Sequence, residues 1–360
     1  MRALSRRVTA VIFVVLLVLV GITLYQQYSN SQPAGPWHET TPYPLQASGG
    51  AGVAGQPCLE SNGSVFCIGG QDVDGSPNSG TYSASLSSSG IGNWTSASPY
   101  PTAVMFQPCV SYGGYVYCVG GSYDNTADDI AFAYFAPLSA SGLGEWKQTT
   151  SYPIPADSQA CVASSGYVYC LGGENETAGT NATASYSSSA WYAPISSSGI
   201  GDWNRTTAYP GQTFFPSCAA FGDYIYCVGG ENSGGNPQDA TYYAPLSSKG
   251  IGPWVETTVY PFKGAGQDCL TSSTYIYCVG GWTGGDTYTG AVYFALVSPD
   301  GIGSWQQAGD YPLGLTTSCV LNSAGYLYCI GGYEGSSGQI GTSYYGLLTS
   351  QPSVTGASSG

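Results

Sequence analysis

The sequence predicts an all-β chain folded as a six-bladed β-propeller. Three observations carry the prediction. A hairpin with one cysteine on each arm and a Gly-Gly end occurs six times, and a tryptophan strand leading to Tyr-Pro also occurs six times. Successive first cysteines lie 51, 52, 57, 51 and 50 residues apart. A four-stranded unit repeating at about 50 residues is what one propeller blade requires.

The clearest hairpin is Cys109-Val-Ser-Tyr-Gly-Gly-Tyr-Val-Tyr-Cys118-Val-Gly-Gly121. The others carry Cys58/Cys67, Cys161/Cys170, Cys218/Cys227, Cys269/Cys278 and Cys319/Cys329, so the six pairs use all 12 cysteines. Five pairs centre on two residues: Asn62-Gly63, Gly113-Gly114, Ser165-Gly166, Gly222-Asp223 and Ser273-Thr274. Two-residue hairpin turns need positive φ, which Asn, Asp and Gly tolerate; Ser273-Thr274 is the weak member. The sixth pair centres on Ser323-Ala324-Gly325, with glycine where a three-residue loop turns left-handed. With two-residue loops the closing pair, such as Tyr112/Tyr115, is hydrogen-bonded, and counting outward places Cys109/Cys118 on a non-hydrogen-bonded site. There Cα atoms approach to about 4.5 Å, within disulfide range. Six cross-strand disulfides are expected.

After each Gly-Gly comes a variable loop, then a third strand such as Tyr242-Tyr-Ala-Pro-Leu246, and a Ser-rich Gly-Ile-Gly turn. The tryptophans that follow this turn are Trp94, Trp146, Trp203, Trp254 and Trp305, with Trp37 at the start of the array, and the Tyr-Pro pairs begin at Tyr43, Tyr100, Tyr152, Tyr209, Tyr260 and Tyr311. The hydrophobic-Gly-Gly ends, such as Tyr226-Cys-Val-Gly-Gly230, with the aromatic and tryptophan that follow, resemble kelch repeats. The resemblance covers about Trp37 to Leu348 and implies a kelch-type propeller. Two features depart from intracellular kelch domains: the hairpin cysteines, and a longer segment before tryptophan, as in Phe135 to Trp146.

The array starts with a lone fourth strand near Trp37 to Tyr43 and ends with a hairpin and third strand, about Thr342 to Leu348. Together they complete one blade. Pairing them closes the ring and protects its edges.

Upstream, Met1-Arg-Ala-Leu-Ser-Arg-Arg7 precedes an uncharged apolar run from Val8 to Tyr25. That length is near the lower limit for a membrane-spanning helix, and the preceding positive charges place the N-terminus in the cytoplasm. The expected organisation is a cytoplasmic stub (1–7), a transmembrane signal anchor (8–25), a linker (26–36), the propeller (37–349) and a disordered tail (350–360). A cleaved signal peptide is the competing reading. Either way the propeller is exported, in keeping with its cysteines.

All 21 acidic residues follow the apolar run, against Lys147, Arg205, Lys249 and Lys263, a net charge near −17. Nucleic acid and anionic headgroups are therefore poor partners. Only 8% of residues are charged. Few Lys and Arg leave little positive charge to repel itself in acid, so the domain is expected to stay folded down to about pH 2. This composition suits the surface of an acid-living microbe, such as an archaeon. Asn-x-Ser/Thr triplets at Asn62, Asn93, Asn175, Asn181 and Asn204 are candidate glycan acceptors, Asn175 and Asn181 lying in the longest variable loop.

Familiar catalytic sets fail by inventory. A sialidase-type arginine cluster is absent, since only Arg205 lies outside the N-terminus. A copper site like that of galactose oxidase, or a Ser-His-Asp triad, needs histidine, and the only one is His38 on the closing strand. A carboxylate pair for glycoside hydrolysis remains open. Asp72, Asp74 and Asn78 resemble part of a calcium loop without its bidentate glutamate. No metal or other cofactor is expected.

A ligand is expected on the face that carries the loops between strands two and three together with the connections between blades. Those loops are Gln71–Gly80, Ser122–Ile130, Glu174–Ala190, Glu231–Ala240, Trp282–Thr289 and Tyr333–Gly341. The connections offer Phe106, Gln107, Asp157, Gln159, Phe214, Phe215, Gln267 and Asp268. Gln56, Gln107, Gln159 and Gln267 each lie two residues before a first cysteine. Such a ring of amides suits sugar hydroxyls or backbone groups at the channel. The expected role is a membrane-anchored binding or adhesion module for a glycan or a cell-envelope protein. A carbohydrate-active hydrolase or lyase, and a structural envelope component, are the alternatives.

Overall fold

The computed structural model describes residues 35–44, 46–47, 50–123, 129–139, 142–175 and 185–348. The expected membrane anchor, the tail and Asn181 lie outside them. Among the described residues no helix is long and apolar enough to cross a membrane, and the one helical turn is a 3-10 turn at Gly335–Ser337.

Six antiparallel sheets form the blades. In the second, Cys109–Tyr112 is innermost, followed outward by Tyr115–Val119, Ala133–Ser139 and Lys147–Gln148. The innermost strands of successive blades contact one another in a closed ring. The sixth blade joins Thr316–Leu321, Tyr326–Tyr333 and Gln339–Leu347 to His38–Thr40 from the chain start. His38 faces Tyr345 and Thr40 faces Ser343 in that pairing.

All six cysteine pairs sit directly opposite in register and are disulfides. The bonds are Cys58–Cys67, Cys109–Cys118, Cys161–Cys170, Cys218–Cys227, Cys269–Cys278 and Cys319–Cys329, with Cα separations of 4.0–4.1 Å. The two arms differ in setting. The second cysteines, Cys67, Cys118, Cys170, Cys227, Cys278 and Cys329, are all 0% exposed. Each belongs to a core cluster between blades. These six are therefore out of reach of any ligand. Their part is to tie the innermost strand to the second and to fill the seam, and they are not members of a binding site. Six such bonds point to an oxidising compartment.

The weak turn keeps its hairpin, since Ser273 takes φ 52°, and Gly325 turns left-handed at φ 84°. The long segment before tryptophan folds into a short hairpin on the third strand, as Leu86 pairs with Ile91 and Ser87 with Gly90.

The core lies between blades. One buried cluster joins Val65, Cys67 and Ala84 of the first blade to Val320, Tyr328 and Ile330 of the sixth. The remaining clusters fill the other five seams in the same way. The repeated aromatics act at these seams. Tyr117, Tyr169, Tyr226 and Tyr328 donate their hydroxyls to Ser196, Ser247, Ser298 and Ser87 carbonyls of the next blade at 2.8–2.9 Å. Each of the six fourth-strand tryptophans meets a Tyr-Pro tyrosine edge-on, from Trp94 on Tyr43 round to Trp37 on Tyr311, which closes the circle.

Gly-Gly exists because two chains must touch there. Gly121 has φ 103°, its amide donates to Ala156 of the next connection at 2.8 Å, and an added Cβ would lie 2.5 Å from Val104. Gly121→Ala therefore combines a left-handed backbone with a seam clash. We expect a loss of about 2–4 kcal/mol in urea unfolding, and an unchanged midpoint would contradict this packing.

Candidate functional site

Where a connection turns into the next innermost strand, the backbone goes left-handed. Gly55, Phe106, Ser158, Phe215 and Gly266 have φ of 62°, 58°, 51°, 49° and 64°. Their peptides join head to tail. The amides of Phe106, Ser158, Phe215 and Gly266 donate to the carbonyls of Gly55, Phe106, Ser158 and Phe215 at 2.9–3.2 Å. The result is a backbone collar along five of the six blades, and four of its five amides are spent on itself. What the collar offers a ligand is side chains.

Glycine takes this conformation freely, and two blades use it. Phenylalanine takes it at a cost of roughly 1–2 kcal/mol, and such strain concentrates at binding sites. Phe106 and Phe215 meet edge to face at 5.4 Å. A Cβ on Gly55 would clash with the Phe106 ring. Gly55 and Phe215 precede opposite blades, and the Phe106 ring touches both positions.

The collar borders a cavity of about 710 Å³. Phe106, Gln107, Gln159, Phe215, Gln267 and Asp268 all line it, as do Gln71, Glu231, Trp282, Tyr288 and Tyr333. Asp157 and Phe214 stand outside its lining. Asp157 is buried, and its backbone pairs with that of Glu174. Phe214 backs Phe215 and stacks on Tyr186 at 4.8 Å, and Tyr186 donates its hydroxyl to Glu231 Oε1 at 2.7 Å. Among the described residues no Lys, Arg or His lines the cavity.

The amide ring is a structural belt. Gln56, Gln107, Gln159 and Gln267 donate Nε2 to Ile330, Ile68, Val119 and Val228, each the residue before Gly-Gly of the preceding blade, at 2.8–3.2 Å. All four are buried. One donor of each glutamine holds neighbouring blades together.

Asp268 has a double position. It lines the cavity, and its Oδ2 accepts from the Cys319 amide of the next innermost strand at 2.5 Å. Ser217 and Ser318 make the equivalent bond to Cys269 and Cys58. Burial raises the Asp268 pKa from 3.8 to about 6, and the amide bond offsets part of the rise. Between those values the folded chain holds the proton that the unfolded chain has lost, so stability falls as pH rises through that window. Asp268→Asn should raise unfolding free energy by about 1–3 kcal/mol above the window and leave it unchanged below. An equal gain at both pH values would contradict this assignment.

The calcium-like loop is a turn. Asp72 Oδ1 accepts the Asp74 and Ser76 amides, and Asn232 Oδ1 does the same for Gly234 and Asn236 in the fourth repeat. An uncharged side chain does the same work there. Asn78 is bonded to Gly70 and Gly80. Among the described residues no group of three potential metal ligands gathers. His38 is exposed beside Tyr345 on the closing strand, away from the cavity. Asn62, Asn93 and Asn204 are exposed, whereas Asn175 donates its side-chain amide to the Pro155 carbonyl.

Sequence reasoning does not single out Glu231, Trp282, Tyr288 and Tyr333 within their loops. A signal exists for three of them. Glu231, Trp282 and Tyr333, like Gln71, immediately follow a Gly-Gly, the point where each repeat leaves its framework for the cavity.

No family model matches the chain, and no curated protein matches it. The solved structure of YjhT aligns with a TM-score of 0.67 at 14% identity, covering 84% of this chain and 95% of that one. This likeness shows a shared propeller fold.

Proposed function

We propose that this chain is a kelch-type, membrane-tethered extracellular propeller that binds a glycan in its central cavity. One observation carries the reading: two strained phenylalanines, Phe106 and Phe215, are held in a cavity whose other walls are aromatic, amide and carboxylate. Flat rings beside polar groups suit the apolar faces and hydroxyls of sugars. The large exposed apolar residues are few and spread over four blades, with Tyr112 and Phe132 on the second, Val255 and Val259 on the fourth, Leu296 on the fifth and Leu347 on the sixth, which favours this role over a purely structural envelope component. A hydrolase is the second reading, favoured because Glu231 and Asp268 line the same cavity.

The test is binding of the purified, oxidised protein to an array of neutral, anionic and amine-bearing glycans. Saturable binding to a neutral or amine-bearing class is expected. Preference for polyanionic glycans, or no binding, would overturn the reading. Release of new reducing ends from the bound glycan would establish the hydrolase.

A further inference from the structure

The cavity wall is chemically lopsided. Glu231 and Asp268 line it, and among the described residues no Lys, Arg or His does. Each carboxylate is fixed through one oxygen, Glu231 Oε1 by the Tyr186 hydroxyl and Asp268 Oδ2 by the Cys319 amide. Neither bond supplies a cation, and the described wall offers neither carboxylate a cationic partner. Two carboxylates without a counter-charge in a concave site set up a negative potential that attracts a positively charged ligand.

The rings around it fit the same occupant. Trp282, Tyr288 and Tyr333 line the cavity on the side of the fifth and sixth blades, and Tyr288 meets Tyr333 edge-on at 5.7 Å. Trp282 is oriented by its Nε1 bond to the Gly285 carbonyl at 2.6 Å. Indole and phenol rings attract ammonium groups through their quadrupoles, and nearby carboxylates add to that attraction. Phe106 and Phe215 supply apolar rings for the rest of the ligand.

Resting on the glycan reading above, we propose that the ligand is an amino sugar with a free, protonated amine, recognised by Glu231 and Asp268 together with Trp282, Tyr288 and Tyr333. Sugars bearing carboxylate or sulfate are excluded by the same charges, and N-acetylation removes the recognised group.

The experiment titrates the full chain, oxidised and in detergent, with a glucosamine tetramer and with its N-acetylated counterpart at neutral pH. The free-amine tetramer should bind at least about tenfold more tightly. That preference should shrink at about 500 mM salt compared with about 50 mM. In Glu231→Gln/Asp268→Asn the preference should fall below about threefold, while the melting temperature at neutral pH is not reduced. Equal or tighter binding of the N-acetylated tetramer would overturn the amine assignment and leave the glycan reading standing. A preference that survives the double substitution would also overturn it. If neither tetramer, nor any other neutral or amine-bearing glycan on the array, binds, both fall together.

Discussion

Reduction of the six hairpin disulfides should lower the stability of the propeller by on the order of 10 kcal/mol. Each bond links cysteines nine or ten residues apart. Restricting such a loop in the unfolded chain is worth about 2–3 kcal/mol in the chain-entropy model. The bonds lie in six separate blades, so their contributions add to a first approximation. The second cysteine of each pair is fully buried at a blade seam, and reduction therefore also loosens packing. Urea unfolding with and without reductant measures the sum, and Cys109→Ala/Cys118→Ala measures one increment. Unfolding midpoints insensitive to reductant would show that the bonds either do not form or do not matter. The low charge of the chain makes the cross-links more important, because few ion pairs are available to supplement the seams.

Loss of the closing strand should have the second-largest effect, and of a different kind. His38–Thr40 covers the outer edge of the sixth blade. Trp37 packs on Tyr311, and Thr40 and Thr41 bond to the Ile91 peptide in the first blade. Trp37→Ala should cost about 2–4 kcal/mol by lost packing at a partly exposed site. Deleting residues 36–41 should cost more and expose the nine-residue edge Gln339–Leu347. An exposed edge of that length invites strand addition from another chain. We expect larger species than the parent on size exclusion from the deletion, and the parent's elution unchanged in Trp37→Ala. A deletion variant as stable and as dispersed as the parent would contradict closure by this strand.

The fold is legible because its signals are local and repeated. Cysteine register follows from hairpin geometry alone, and Cys109 does sit opposite Cys118. The closing strand follows from two half-blades at opposite ends of the array. The site is legible only where a position is tied to that repeat. Phe106 and Phe215 can be placed near the channel mouth because they precede first cysteines. The role of the glutamines is not legible, since Gln107 donates to Ile68 in the preceding blade. Partners that far apart are set by blade-to-blade packing, which no local pattern records. The same holds for Asp268, whose neighbour is the Cys319 amide. It holds too for the Thr-Thr pairs after tryptophan, where Thr149 and Thr150 both donate to Ile200 in the next blade. Burial of Cys170, Cys227, Cys278 and Cys329 belongs to the same class, because the hairpin fixes their partners and the neighbouring blade fixes their exposure. The left-handed backbone of Phe106, Ser158 and Phe215 has no sequence signal, because Phe and Ser carry no preference for it. Only alignment of the repeats, with Gly55 and Gly266 in the same place, hints at the conformation.

That alignment also supplies the most direct test of a ligand-binding cavity. Phe106→Gly/Phe215→Gly installs the residue that two other blades already use at this position. Relief of left-handed strain and loss of ring contact act in opposite directions, so stability should change by less than about 2 kcal/mol. If the rings are there for a ligand, affinity for the glycan found on the array should fall by roughly tenfold or more. A stable variant that has lost binding is the predicted result. A variant that binds as tightly as the parent would contradict the account.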